Sequence, residues 1–283
     1  MGTDKRERQK ANKAAKLEAE QAAAARARRN RTIRNLVILA VVIVIVVLVS
    51  SACSSSDSGG SEGSSKATTT TAAAGTTGKA KPADYGTGEC APADGTDEPV
   101  LDFDAAPKQC IDPSKTYTAT IETSEGTVVL ELDPKRAPVT VNNFVNLARS
   151  GYFDDTILFR TEKESGIIQG GSPHTEDNTD PGPGYTIPDE GGPFTSEDYA
   201  PGTIAMANTG QPNSGSAQFF FLSNEGGRYL GDASAIGPSA GTYTVFGKAT
   251  EGADVLKTIS DLDDGTSTPS RKVTIDKVTI AES

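Results

Sequence analysis

The chain has 283 residues, 35% of them hydrophobic, and a formal net charge of −11 at pH 7. That charge is divided: residues 1–35 carry 11 Lys/Arg against 4 Asp/Glu, while the remainder carries 16 against 34. So acidic a remainder excludes a folded domain that grips nucleic acid, which needs clustered cations, and a single His without any Cys-x-x-Cys pair excludes a zinc site.

In chain order, Lys5 to Arg34 is rich in Ala, Glu, Lys and Arg and has no Pro or Gly, which favours a polar helix. It lacks the apolar stripe of a coiled coil. From Leu36 to Val49 every residue is Leu, Val, Ile or Ala, and the uncharged stretch continues through Ser50, Ser51 and Ala52 to Cys53. A spanning helix needs about 20 residues, with a usable lower limit of about 17. Arg26, Arg28, Arg29, Arg31 and Arg34 precede the stretch and a Ser/Gly/Thr tract follows it. The positive-inside bias therefore makes residues 1–35 a basic cytoplasmic arm, 36–53 a single-pass transmembrane anchor, and all that follows extracytoplasmic. In the alternative reading, Leu48 to Cys53 and its Ser/Gly tail resemble a bacterial lipoprotein processing site, with Cys53 lipidated and the apolar segment removed.

Residues 54–114 read as a low-complexity linker or stalk, dominated at first by Ser, Gly, Thr, Ala and Lys, which bury too little apolar area to order themselves. From Tyr85 the chain stays irregular but contains Cys90 and Cys110. Outside the cytoplasm two cysteines tend to pair, and this bridge would close a loop of about 20 residues, worth about 3 kcal/mol in the chain-entropy model. The alternative is two free thiols in a flexible stalk.

The globular domain is expected over 115–283. Tyr117–Thr123 alternates, Ser124-Glu125-Gly126 signals a turn, and Thr127–Leu132 forms a second strand, so the domain opens with a hairpin. Pro138 starts a helix whose stripe is Val141, Phe144, Val145 and Ala148, ended by Ser150-Gly151. Short strands follow between Gly/Pro loops at 156–160, 166–169, 202–207, 217–222, 244–248 and 272–280, with a helix near Ala253–Ile259 before the last. This pattern predicts a mostly antiparallel β domain with two helices, a barrel or a sandwich. Asp180-Pro-Gly-Pro-Gly-Tyr185 reads as turn chemistry and not a phosphate loop, and His174, with no Ser or Cys partner pattern, reads as solvated.

Six stretches, in order across 116–280, resemble the cyclophilin family of peptidyl-prolyl cis/trans isomerases. They are Ala137–Phe144 (APVTVNNF), Gly151–Thr156 (GYFDDT), Ile168–Gly171 (IQGG), Gly202–Asn208 (GTIAMAN), Ser216–Phe221 (SAQFFF) and Thr244–Gly247 (TVFG). The basic arm, single anchor and stalk look like membrane-bound actinobacterial members. The resemblance implies a closed eight-stranded antiparallel β-barrel capped by two helices, and proline-containing unfolded or exported polypeptides as partners, with no cofactor. The chemistry needs none. An X–Pro amide faces a barrier of about 18–20 kcal/mol because its C–N bond is partly double, and a site that favours the twisted amide lowers it without covalent steps.

The resemblance assigns the roles. Arg160 would donate to the proline amide as it twists, and Phe220 would floor the proline pocket. Gln169, Gln218 and the main chain at Asn208 would hold the substrate backbone. Ala207 and Thr209 would line the adjoining groove, with Ile167, Leu230 and Tyr243 as pocket walls. The chain departs from the family where Leu158-Phe159 replaces Phe-His, and where Thr161–Gly166 is one residue longer than the usual Ile-Pro-Gly-Phe pattern. A pocket phenylalanine is thereby Gly166, and the position that often carries Trp is Tyr229, which implies weakened cyclosporin binding. Two functions follow: a working foldase, or a catalytically weak proline-peptide binding or scaffold module of the cell envelope. A structural envelope protein with no groove would leave the constellation unexplained.

Overall fold

The computed structural model describes residues 86–283. The expected arm, anchor, Cys53 and the first part of the linker lie outside the described residues. The domain opens with β1 (Tyr117–Thr123) and β2 (Gly126–Leu132), paired from Tyr117↔Leu132 to Thr123↔Gly126 around Ser124 and Glu125. Their alternation puts Tyr117, Ala119, Ile121, Val128, Leu130 and Leu132 in the core. The first helix, α1 (Pro138–Arg149), starts at a proline whose missing N–H has no helical partner to lose, and buries Val141, Phe144, Val145 and Ala148.

Next come β3 (Thr156–Ile157), β4 (Arg160–Glu162), β5 (Ile167–Gly170), β6 (Thr203–Met206) and β7 (Phe219–Leu222). A 3-10 turn (Glu225–Gly231), the one-turn helix α2 (Ala233–Ile236) and a second 3-10 turn (Gly237–Ser239) lead to β8 (Val245–Glu251). The chain ends with α3 (Ala253–Ser260), which buries Leu256 and Ile259, and β9 (Thr274–Glu282).

All pairings in the sheet are antiparallel, in the order β3-β9-β1-β2-β8-β6-β7-β5-β4. The end strands β3 and β4 are separated in the chain by only Leu158 and Phe159, so the sheet curls back on itself and stays half-open at that break. The single strand expected over 156–160 is therefore divided. Leu158 turns into the core, 1% exposed, with its N–H on the Val273 carbonyl at 3.0 Å, while Arg160 pairs with Gln169 on the other side.

Strands β5, β6 and β7 are buried on both faces. Ile168, Ile204, Phe219 and Phe221 face the main core with α1. Ile167, Ala205, Phe220 and Leu222 face a second cluster completed by Phe194, Tyr199 and Leu230. Apolar residues in both registers explain why these segments read as continuous runs.

The expectation of a linker to residue 114 needs correcting at its end. Residues 86–114 are irregular, but they form a strap laid on α1. Cys90 is bonded to Cys110, with Cα atoms 5.5 Å apart, and Ala106 and Ile111 are buried. The physical reason lies in α1 itself. Asn142 Oδ1 accepts from the Cys110 and Ile111 amides at 2.7 and 3.2 Å, and Asn142 Nδ2 donates to the Lys108 carbonyl at 2.9 Å. Asn146 Oδ1 accepts from the Ala91 amide at 2.7 Å. Buried side-chain amides thus take over the backbone hydrogen bonding that an irregular segment cannot satisfy alone.

Candidate active site

Register builds the site. In β4, β5, β7 and β6 the residues Arg160, Gln169, Phe220 and Ala205 stand directly opposite one another in turn, and so share one face of the sheet. Two residues along, Glu162, Ile167 and Leu222 form a second row on that face. The face opens into a groove of about 560 Å³. All ten residues assigned from the sequence line it: Arg160, Ile167, Gln169, Ala207, Asn208, Thr209, Gln218, Phe220, Leu230 and Tyr243.

Side-chain hydrogen bonds orient its polar groups. Arg160 Nη1 donates to Gln169 Oε1 at 2.8 Å, and Gln169 Nε2 donates to Gln218 Oε1 at 2.9 Å. Gln218 itself lines the groove. Asn208 holds the next loop, its Oδ1 accepting from the Gly210 amide at 3.0 Å and its Nδ2 donating to the Thr242 carbonyl at 3.3 Å. Its own backbone N–H and carbonyl have no partner among the described residues.

The apolar floor is Phe220, 4% exposed, whose ring meets Tyr243 edge-on with centroids 5.4 Å apart. Tyr199, behind it, donates its hydroxyl to the Tyr243 carbonyl at 2.8 Å. Leu230 and Tyr229 come from the 3-10 turn. Burial pushes the Tyr229 phenol up, and the nearby Glu162 carboxylate adds to the shift. Gly166 lies in the β4–β5 turn at φ +73°, where a Cβ would meet the Asn224 backbone nitrogen at 2.8 Å. A side chain there would run into Asn224; the aromatic residues of the second cluster are Phe194, Tyr199 and Phe220, with Tyr229 and Tyr243 packed against it.

Several participants were not legible in the sequence. Asn178, Asp180, Pro181, Thr186, Ser214 and Ser216 complete the far wall of the groove. All but Ser216, which opens the Ser216–Phe221 stretch, belong to loops whose only sequence signal was turn chemistry. The Asp180 side chain is wholly covered and organises its loop by accepting from the His174, Thr175 and Gly182 amides at 2.8, 3.1 and 2.8 Å. His174 is an exposed residue, as expected, but its ring has carboxylate neighbours. Its side chain is 21% exposed, with Nδ1 3.2 Å from Asp180 and Nε2 3.5 Å from Asp102 of the strap. Glu162, which binds Arg160, also went unrecognised. Among the described residues no cluster of three or more His, Cys, Asp or Glu is placed to hold a metal ion.

The family model described as cyclophilin type peptidyl-prolyl cis-trans isomerase/CLD matches residues 118–280. The peptidyl-prolyl cis-trans isomerase cyp18 of Streptomyces antibioticus is 36% identical over 165 residues, covering 58% of this chain and 95% of that protein. Peptidyl-prolyl cis-trans isomerase B of Bacillus subtilis is 37% identical over 138 residues, covering 48% of this chain and 85% of that protein. A crystal structure of a Cryptosporidium parvum cyclophilin-type peptidyl-prolyl cis-trans isomerase, in the presence of the dipeptide Ala-Pro, aligns with a TM-score of 0.48 at 28% identity, covering 58% of this chain and 98% of that one. This chain belongs to the family of cyclophilin-type peptidyl-prolyl cis-trans isomerases, and its activity is the isomerisation of X–Pro peptide bonds.

Proposed function

We propose that the groove lined by Arg160, Gln169, Gln218 and Phe220 is where the isomerisation occurs, on exported polypeptides outside a membrane. The observation that carries this reading is the Arg160–Gln169–Gln218 hydrogen-bonded chain beside the Phe220 floor in one groove. A proline ring seats on Phe220 between Ile167, Leu230 and Tyr243. Gln218 and the Asn208 backbone hold the peptide on either side, with Ala207 and Thr209 lining its path. As the C–N bond twists, the nitrogen lone pair localises, and Arg160 donates to it. That contact is stronger in the twisted amide than in either planar form, so it lowers the barrier without a nucleophile or base.

Placement outside the membrane is supported by the basic arm at 1–35 and the apolar stretch at 36–53, with a lipid on Cys53 as the alternative anchor. A disulfide at Cys90–Cys110 suits an oxidising compartment. Cyclosporin binding is weak, because Tyr229 stands at the wall position where the family often carries Trp.

The test is isomerisation of a proline tetrapeptide by the full-length chain in mild detergent, wild type against Arg160→Ala. We expect clear acceleration by the wild type and a loss of about a hundredfold in the variant, the scale of one removed transition-state donor. A folded Arg160→Ala chain that turns over like wild type would reject the site. A folded wild type that binds the peptide without accelerating it would point to the recognition module.

A further inference from the structure

We propose that Glu162 is a positioning residue for Arg160, setting the direction in which the guanidinium donates. The inference rests on the reading above in which Arg160 serves the proline amide. Glu162 and Arg160 sit two residues apart on β4 and therefore on the same face. Glu162 Oε1 accepts from Arg160 Nε at 3.0 Å and from Nη2 as well. Its second oxygen, Oε2, accepts from Ser165 Oγ at 2.8 Å. The longer loop after Arg160 thus supplies both the carboxylate and the group that holds the carboxylate.

An arginine side chain has five N–H donors. Three are engaged here, two on Glu162 and one on Gln169, which leaves two for a ligand in the groove. Gln169 alone would hold the guanidinium at a single N–H and leave its plane free to turn. Glu162 adds a lateral grip on Nε and Nη2, and acceptors on two sides fix the plane. Strand β4 has three residues and lies at an end of the sheet, so the backbone supplies little of this restraint.

The carboxylate also has an opposing effect, because it reduces the positive field at the proline nitrogen. Solvent decides the balance. The Arg160 and Glu162 side chains are 39% and 27% exposed, so water screens the charge pairing. Orientation is not screened, and small misplacements of a reacting group carry large rate penalties. The geometric effect therefore prevails.

The test measures kcat and KM separately for the full-length chain with a proline tetrapeptide, comparing wild type, Glu162→Ala, Glu162→Gln and Arg160→Ala. We expect Glu162→Ala to lower kcat about tenfold with KM nearly unchanged, the signature of a misaimed donor. Glu162→Gln keeps an oxygen where Oε1 stands but loses the charge, and should recover most of kcat. A Glu162→Ala kcat equal to or above wild type would overturn the proposal, because the carboxylate would then be idle or would damp Arg160. Equal losses in Ala and Gln would also overturn it, since charge and not acceptor geometry would be responsible. Arg160→Ala keeps the two failures apart: if it retains full activity the site reading falls and this proposal with it, and if it loses activity the Glu162 variants judge the proposal alone.

Discussion

Residues in this domain acquire their roles from partners far away in the chain, and Glu190 shows how. Helix α1 lacks a side-chain cap of its own, because Ala137 stands at the capping position. Glu190 replaces it from a distant loop, its Oε1 accepting from the Thr140 amide at 2.5 Å. Burial nevertheless holds the Glu190 carboxyl above the usual glutamate range, against the lowering effect of the Thr140 and Val139 amides. An acid whose pKa rises on folding favours the folded state below its unfolded pKa, and this contribution disappears as pH rises through the folded value. Glu190→Gln keeps the acceptor and removes the titration. Wild type should therefore lose stability relative to Glu190→Gln as pH climbs through and above the glutamate range. Urea unfolding at a series of pH values reads this out, and a difference independent of pH would refute it. Arg160 shows the contrasting case, since its two holding partners are near in the chain, Glu162 on its own strand and Gln169 on the adjacent β5.

At the scale of elements, α1 serves two structures at once. One face carries the apolar stripe that seals the main core. On the others, Asn142 and Asn146 hold the strap, while Asn143 donates to the Ser216 carbonyl at 2.6 Å and accepts from the Tyr185 hydroxyl at 2.8 Å. Asn143 thereby ties the helix to loops that bear the groove wall. Asn142→Ala would leave two strap amides and one carbonyl without partners. We expect a loss of about 2–3 kcal/mol in urea unfolding, with faster amide exchange at Cys110 and Ile111. Unchanged exchange at those two amides would mean that the asparagine does not hold the strap. The apolar periodicity of α1 was readable from the sequence, but the work of its asparagines was not. A side-chain amide looks the same in a sequence whether it faces water or a buried backbone.

For the molecule as a whole, strap, helix and groove form a continuous assembly. The Phe103 amide of the strap donates to the Pro183 carbonyl at 2.9 Å, and its ring meets Tyr185 edge-on at 6.2 Å, next to the groove loop. The Cys90–Cys110 bond spans 20 residues, which corresponds to about 3 kcal/mol of restricted unfolded-chain entropy. Replacing both cysteines by Ser should lower the unfolding free energy by about that amount, and reductant should do the same to wild type. Identical urea midpoints with and without reductant would contradict this. By itself the sequence determined the opening hairpin and the two longer helices, because alternation and helical spacing are local and survive in one dimension, while the ten groove residues followed from the resemblance of its contiguous motifs to a known family. Only the tertiary structure decided that Arg160, Gln169 and Phe220 share one row, that residues 86–114 form a strap, that His174 sits between Asp180 and Asp102, and that Glu162 grips Arg160. Strand register, burial on both faces of a sheet, and hydrogen bonds between distant side chains depend on where the folded chain brings residues together, and no local pattern records that.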